Sequence, residues 1–462
     1  MKSLPAWLAR SVYRAQETAM RRPTFALLDE IERTQWLPRA GIEAVQRQRL
    51  NQLLAVALAH SPWHATRLRA AGLGGAVEAG TVTLADLVRL PTMNKRDARE
   101  NIEQLVWRGV PGGVFPYTTG GSSGEPLIFH FGRARQASDA AGRMRARRWW
   151  GVEPGEREAY LWGAPVELNK TDRIKTLRDR LVNQLVLNAF AMSPARMDDY
   201  LDALQAWRPR CLYGYASSVA LLAAHAEARQ RRMQLPGLRV VCTTGEPLYP
   251  HQRELIAQVF GAPVANEFGS RDIGFTAHEA PGGQMLLMSE SHIVEVLDAE
   301  GRPVAPGEPG EAVITGLTSA AQAFIRYRTG DVMRMANEAA TGGQGLHVIA
   351  DVSGRQTDFV VATDGRVMHA LAVIYVLRAV PGVVQFKCIQ HTPARMEVQI
   401  VPDAHWNEAS RNAVISGLRA RLGETFEPEL RMLDDIPPEA SGKHRYVVSH
   451  VALAESLKQA AA

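Results

Sequence analysis

The chain has 462 residues, 46% hydrophobic and 22% charged, with no block of one residue type. That length exceeds one ordinary core and predicts two or three domains of a soluble globular protein. A net charge of +5 gives little support to nucleic-acid binding, and three distant cysteines without a CxxC pair argue against a disulfide framework or zinc ribbon. They suit a reducing cytoplasm, the expected location.

The N-terminal MKSLPAWLARSVYRAQETAMRR breaks its apolar runs with Arg10, Arg14 and Glu17, so it reads as neither a signal peptide nor a membrane span. It reads instead as a helix packed on its own domain. The alternative is an amphipathic helix lying on a membrane with Trp7, Leu8 and Val12 on one face. Residues 45–70 are helical in pattern, with Leu50, Leu53, Leu54, Ala57 and Leu58 on one stripe. Two short helices separated by Pro91 are expected over 80–107, the second capped by Asn94. Residues 138–235 read as mostly helical, including SSVALLAAHAEARQ after Tyr215.

Two continuous apolar runs, LRVVCT (238–243) and PVANEF (263–268), suit buried parallel strands separated by one helix. Ligands of such α/β sheets bind at the carboxyl ends of the strands. After residue 290, HIVEVLD, EAVITGLT and HVIAD predict a β-rich subdomain. From 353 onward the pattern is hairpin, helix, hairpin, helix and tail, enough for a separate α+β domain of roughly 110 residues. The fold class is therefore α/β, with a large N-terminal domain over 1–352 and a small C-terminal domain over 353–462.

YTTGGSSGEPL (117–127) is rich in hydroxyls and glycines, yet Glu125 and Pro126 break the Walker pattern, and no GxGxxG follows a strand. Alone it is as compatible with a surface turn as with a phosphate cradle. Further along stand TTGEPL (243–248), NEFGSRDIG (266–274), RYRTGD (326–331), SGR (353–355) and SGKHR (441–445). This ordered set resembles the adenylate-forming superfamily of acyl- and aryl-CoA ligases, in particular the phenylacetate–CoA ligase and CapK-type branch. PTMNKRDARENI, LYGYASSVALLAAHA and VVQFKCIQ extend the resemblance over almost the whole chain.

The resemblance implies a large adenylate-forming domain followed by a small mobile one, and ATP, Mg2+ and coenzyme A as co-substrates. Thr118, Thr119, Gly120, Gly121, Ser122, Ser123 and Gly124 would hold the phosphates. Gly245, Glu246 and Pro247 would line the adenine pocket, with Phe268 and Gly269 against the purine and Ser270 near the α-phosphate. Asp331 would bind the ribose hydroxyls, Arg355 would add a ribose or phosphate contact, and Asp272 would bind magnesium. Lys443 would bridge the substrate carboxylate and α-phosphate during adenylation. Attack of a carboxylate on a phosphate brings anions together, so positioning and positive charge must do the catalytic work. The acid itself, aryl or short aliphatic, is expected near Tyr213, Gly214, Tyr215 and Thr244, with 160–164 nearby.

Three positions depart from the pattern: Glu125 replaces the loop lysine, Asp272 replaces a glutamate, and Thr357 stands where an acidic hinge residue is usual. The implied reaction is acid activation as acyl-AMP, then transfer to coenzyme A. An amine or hydroxyl acceptor is the alternative, and a nucleotide-binding protein without turnover a third reading. Homodimers are common in the resembled branch, and neither nucleic acid nor a membrane span is expected. Cys211 and Cys242 read as buried inert thiols, and His225, His278 and His292 lack metal-ligand spacing. The basic stretch 133–151 reads as a solvated helix face rather than a nucleic-acid groove with Trp149 and Trp150.

Overall fold

Alternating β-branched runs and helices in the middle of the chain produce a large mixed sheet. The computed structural model describes residues 3–118, 128–162, 178–189, 194–233, 235–355, 359–364, 367–369, 371–437 and 446–451. The chain divides into two units. The first comprises Met1–Leu297, Pro303–Thr329 and Arg334–Val352; the second comprises Asp298–Arg302, Gly330–Met333 and Ser353–Ala462.

The chain opens with helices α1 (Ala6–Ala19), α2 (Thr24–Thr34), α3 (Arg39–His60) and α4 (Pro62–Ala70). Helix α1 packs on its own unit. Tyr13 meets Phe25 edge-on at 5.7 Å, and Glu17 is buried on Arg22 and Thr24. The apolar stripe predicted on α3 is buried at Leu50, Leu53, Leu54 and Ala57. Short helices α5 (Gly74–Glu78), α6 (Lys95–Glu100) and α7 (Ile102–Leu105) follow. Asn94 caps α6 by accepting from the Arg96 and Asp97 amides, the position the sequence predicts.

Strands β1 (Phe115–Thr118) and β2 (Ile128–Phe131) pair antiparallel and lead into α8 (Arg133–Trp149). The expectation of a mostly helical 138–235 segment is corrected here. It contains β3 (Glu158–Trp162), β4 (Gln184–Asn188) and β5 (Cys211–Tyr215) beside helices α9 (Pro194–Trp207) and α10 (Ala216–Ala228). Strands β6 (Val240–Thr244) and β7 (Val264–Ser270) flank α11 (Pro250–Phe260), as their apolar runs predict. The β-rich stretch supplies β8 (Gly274–Glu279), β9 (Met285–Leu287), β10 (His292–Leu297), β11 (Gly310–Gly316), β12 (Tyr327–Met335) and β13 (Val348–Arg355). Among the described residues these strands join one eleven-stranded sheet, ordered β10-β11-β12-β13-β9-β8-β7-β6-β5-β3-β4.

Within that sheet β4, β3, β5, β6 and β7 run parallel. Because side chains alternate across a strand, one face buries Leu161, Leu212 and Val241 with residues of α9, α10 and α11. The opposite face carries Cys211, Tyr213, Cys242 and Ala265, packed with Tyr160 and Trp162. Gly142 of α8 lets that helix approach β8 closely, since a Cβ there would stand 2.7 Å from the Phe275 ring.

In the second unit β14 (Phe359–Val361) pairs with β15 (Val367–His369), followed by α12 (Leu371–Arg378). A second hairpin, β16 (Val383–Thr392) and β17 (Arg395–Pro402), precedes α13 (Glu408–Leu422). The region read as a tail adds β18 (Glu427–Met432) beside β17 and β19 (Val447–Ser449) beside β16, both parallel. Buried Gln390 ties the two sheets of this unit together, exchanging hydrogen bonds with the backbone of Val361.

Candidate active site

The carboxyl ends of β5, β6 and β7 gather several of the predicted residues. Register sets Tyr213 beside Cys242, Tyr215 beside Thr244, and Thr244 beside Glu267. Tyr213 and Thr244 both donate to Glu267 Oε1, each at 3.0 Å. Burial and the neighbouring Glu267 carboxylate push the Tyr213 phenol well above its ordinary range, so it stays a donor. Gly214 admits no side chain, because a Cβ there would lie 2.8 Å from the Leu161 carbonyl oxygen. Tyr215 stacks on Trp162 with centroids 4.3 Å apart. The four residues expected to form the acid pocket thus share one end of the sheet.

Beyond Thr244 the chain turns through Gly245 at φ +76, a left-handed conformation that suits glycine, into Glu246 and exposed Pro247. On β7, Gly269 is enforced by packing: a Cβ would stand 2.3 Å from the Gly274 carbonyl oxygen. Phe268 packs against a buried cluster containing Phe129, Phe324 and Tyr327.

Asp272 is buried, and both carboxylate oxygens accept hydrogen bonds, from Ser270 Oγ at 2.5 Å and from Tyr327 Oη at 2.7 Å. The second bond joins NEFGSRDIG directly to RYRTGD, across 55 residues of sequence. In RYRTGD, Arg326 grips Glu295 with two hydrogen bonds of 2.9 and 2.8 Å and donates to the carbonyls of Val88 and Leu90. Arg328 pairs with Glu311. Asp331 is buried on β12, between β11 and β13.

Arg355 ends β13, and its side chain lies outside the described residues. Thr118 ends β1; Thr119, Gly120, Gly121, Ser122, Ser123, Gly124, Glu125, Thr357 and Lys443 also lie outside the described residues. In the sequence, 119–127 lies between β1 and β2, which pair antiparallel.

The basic stretch of α8 is not a solvated face. Arg135, Arg145 and Arg147 are buried and face inward. Arg135 binds Asp139 and the Asp272 carbonyl, and Arg145 pairs with Glu290 at 2.7 Å. Arg147 pairs with Glu158 at 2.5 Å and donates to Tyr160, which itself donates to Glu158. Arginines are buried at such cost only when paired; Asp139 comes from the same helix, while Glu158 and Glu290 stand elsewhere in the sequence. Trp149 and Trp150 likewise donate inward, to Gln35 and to the Glu279 carbonyl.

Cys211 and Cys242 are buried and 3.8 Å apart, and the hydrogen bond they share together with burial raises the Cys242 thiol well above its ordinary range. Among the described residues no three histidine, cysteine or acidic side chains converge as a metal centre, and no helix is long and apolar enough to cross a membrane.

Comparison with known proteins agrees with this layout. Residues 185–322 match the AMP-binding enzyme family, and residues 360–450, which include Lys443, match the CapK C-terminal domain. Protein CapK of Staphylococcus aureus is 20% identical over 88% of this chain and 89% of its own. A phenylacetate–coenzyme A ligase of Thermus thermophilus is 24% identical over 89% of this chain and 97% of its own. The crystal structure of 2-hydroxyisobutyryl-CoA ligase in the postadenylation state, in complex with R3-HIB-AMP, shares the fold. It has a TM-score of 0.72 at 20% identity and covers 93% of this chain and 94% of that one. An AMP-binding enzyme region followed by a CapK C-terminal domain, together with these two relatives, supports an adenylate-forming chain similar to the CapK- and phenylacetate–CoA ligase-like branch.

Proposed function

We propose that the protein activates a carboxylic acid with ATP as an acyl-AMP, releasing pyrophosphate, and then transfers the acyl group to the thiol of coenzyme A. The observation that carries this reading is the Tyr327–Asp272 hydrogen bond. It holds together, on one sheet, two segments that the family resemblance assigns to a single nucleotide.

The residues present fit a nucleotide at this end of the sheet. Gly245, turning at φ +76, and Gly269 carry no side chain where a flat base would approach, and Phe268 would add an aromatic edge. Asp331 would accept from the ribose hydroxyls, as a carboxylate does well. Thr118–Gly124 would wrap the phosphates with hydroxyls and amides, and Arg355 would add a charged contact. Ser270, which donates to Asp272, would stand near the α-phosphate.

Magnesium arriving on the triphosphate needs few protein ligands and would neutralise phosphate charge. Asp272 could serve it only by sharing oxygens that already accept from Ser270 and Tyr327. Lys443 would supply charge to the carboxylate oxygen as it attacks, and leave for the thiol step. Tyr213, Gly214, Tyr215 and Thr244 would line the acid pocket.

The test is mass spectrometry of the protein incubated with ATP, magnesium and an acid panel, followed by coenzyme A. Acyl-AMP first and acyl-CoA after the thiol is added is the expected sequence. Acyl-AMP consumed by an amine and not by coenzyme A would replace the acceptor. In Lys443→Ala, acyl-AMP formation should fall at least about 100-fold while ATP binding persists; an unchanged rate rejects the role given to Lys443.

A further inference from the structure

The acid pocket of this reading contains an opposite-charge pair that adenylation itself does not require. Arg143 of α8 reaches Glu267 of β7, Nε to Oε1 at 3.6 Å, and lies 5.3 Å over the Phe275 ring. Both donors described above, Tyr213 and Thr244, also use Oε1. The second oxygen, Oε2, accepts no hydrogen bond among the described residues. Arg143 donates none among them either, and its buried Nε lacks a hydrogen-bond partner.

Exposure differs sharply across the pair: the Glu267 side chain is 4% exposed, that of Arg143 36%. The Arg143 side chain is therefore partly accessible, with its Nε buried, beside a carboxylate fixed from behind. Burial is the largest influence and opposes its charge, but Glu267, Tyr213 and Asp139 together outweigh it and raise its pKa, so it remains a cationic donor. The cation that opposes it, Arg147, is itself paired with Glu158.

This local site has no net charge and offers both unused N–H donors and an unused carboxylate oxygen. A second carboxylate on the ligand would face Glu267, and an ammonium would face Arg143. A hydroxyl satisfies both, donating to Glu267 Oε2 while accepting from Arg143. We infer that Arg143 and Glu267 are specificity-determining residues that select a carboxylic acid bearing a hydroxyl on its chain or ring. Tyr213 is a positioning residue that holds Glu267 in place. The inference rests on the acyl-AMP reading and names its substrate class. A purely apolar acid would cover Glu267 Oε2 and the spare Arg143 donors without giving them a hydrogen-bond partner, which is how a site built for a hydroxyl rejects its deoxy analogue.

The test is acid-dependent ATP–pyrophosphate exchange with matched pairs: butanoate against 3-hydroxybutanoate, and phenylacetate against its 4-hydroxy derivative. The wild type should favour the hydroxylated member of at least one pair by about tenfold or more in kcat/KM. Arg143→Met and Glu267→Gln should bring that ratio to within about threefold of unity, through the KM for the hydroxy acid and not the KM for ATP. Arg143→Lys, which keeps a donor, should restore part of it and covers the case in which the Met variant fails to fold. Equal use of both members by the wild type overturns the inference while leaving adenylation standing, as does an equal loss for both in the variants. No exchange with any acid overturns the inference and the acyl-AMP reading together.

Discussion

Tyr327→Phe removes one oxygen from the fully buried residue that joins NEFGSRDIG and RYRTGD. The ring stays, with its edge-on contact to Phe324 at 4.9 Å, so packing changes little. What disappears is the 2.7 Å hydrogen bond to the Asp272 carboxylate. A hydrogen bond to a charged group contributes about 1.5–3 kcal/mol, and a buried carboxylate deprived of a donor sits at the upper end of that range. Urea unfolding followed by tryptophan fluorescence should show the midpoint falling by that free energy divided by m, with m itself unchanged. The same variant should bind ATP more weakly, because Asp272 also anchors Ser270. A midpoint shift that, multiplied by m, amounts to less than about 0.5 kcal/mol would refute the idea that this bond fastens the two segments.

Glu290→Gln should cost about 3–5 kcal/mol, since it leaves the buried Arg145 guanidinium without its counter-charge. Burial raises the Glu290 carboxyl, but Arg145 outweighs it and holds the pKa below its ordinary 4.5. A depressed carboxylate stabilises the fold above about pH 4.5 and loses that contribution as pH falls through the folded value. The gap between wild type and variant in urea should therefore narrow on acidification below pH 4.5; a constant gap contradicts the assignment. Gly269→Ala must move the Gly274 carbonyl, because the new Cβ starts 2.3 Å from its oxygen. Calorimetric ATP titration should show at least about a tenfold loss of affinity if backbone at this point meets the purine, and unaltered binding would remove Gly269 from the site.

Legibility in the sequence followed the range of the interactions. The strands at 240–244 and 264–270 announce themselves through unbroken apolar runs, because burial on both faces needs no alternation. Strand β5, CLYGY, hides behind a glycine and a following alanine-rich helix, and EAYLW is too short and mixed to declare a period. Helix α8 misleads for a different reason. Its arginines look like a solvated stripe until Glu158 and Glu267 arrive from strands and Glu290 from the turn between β9 and β10. Glu267 itself lies inside NEFGSRDIG, yet nothing local marks it as the acceptor for Tyr213 and Thr244. The Tyr327–Asp272 bond is equally invisible, although both residues sit in motifs that the family resemblance picks out.

The central claim, carboxylate activation on this sheet end, is tested most directly by pyrophosphate exchange into ATP with a broad panel of carboxylic acids and magnesium. The account predicts exchange that requires an added acid and is lost in Lys443→Ala. ATP binding without exchange for any acid in the panel would contradict it.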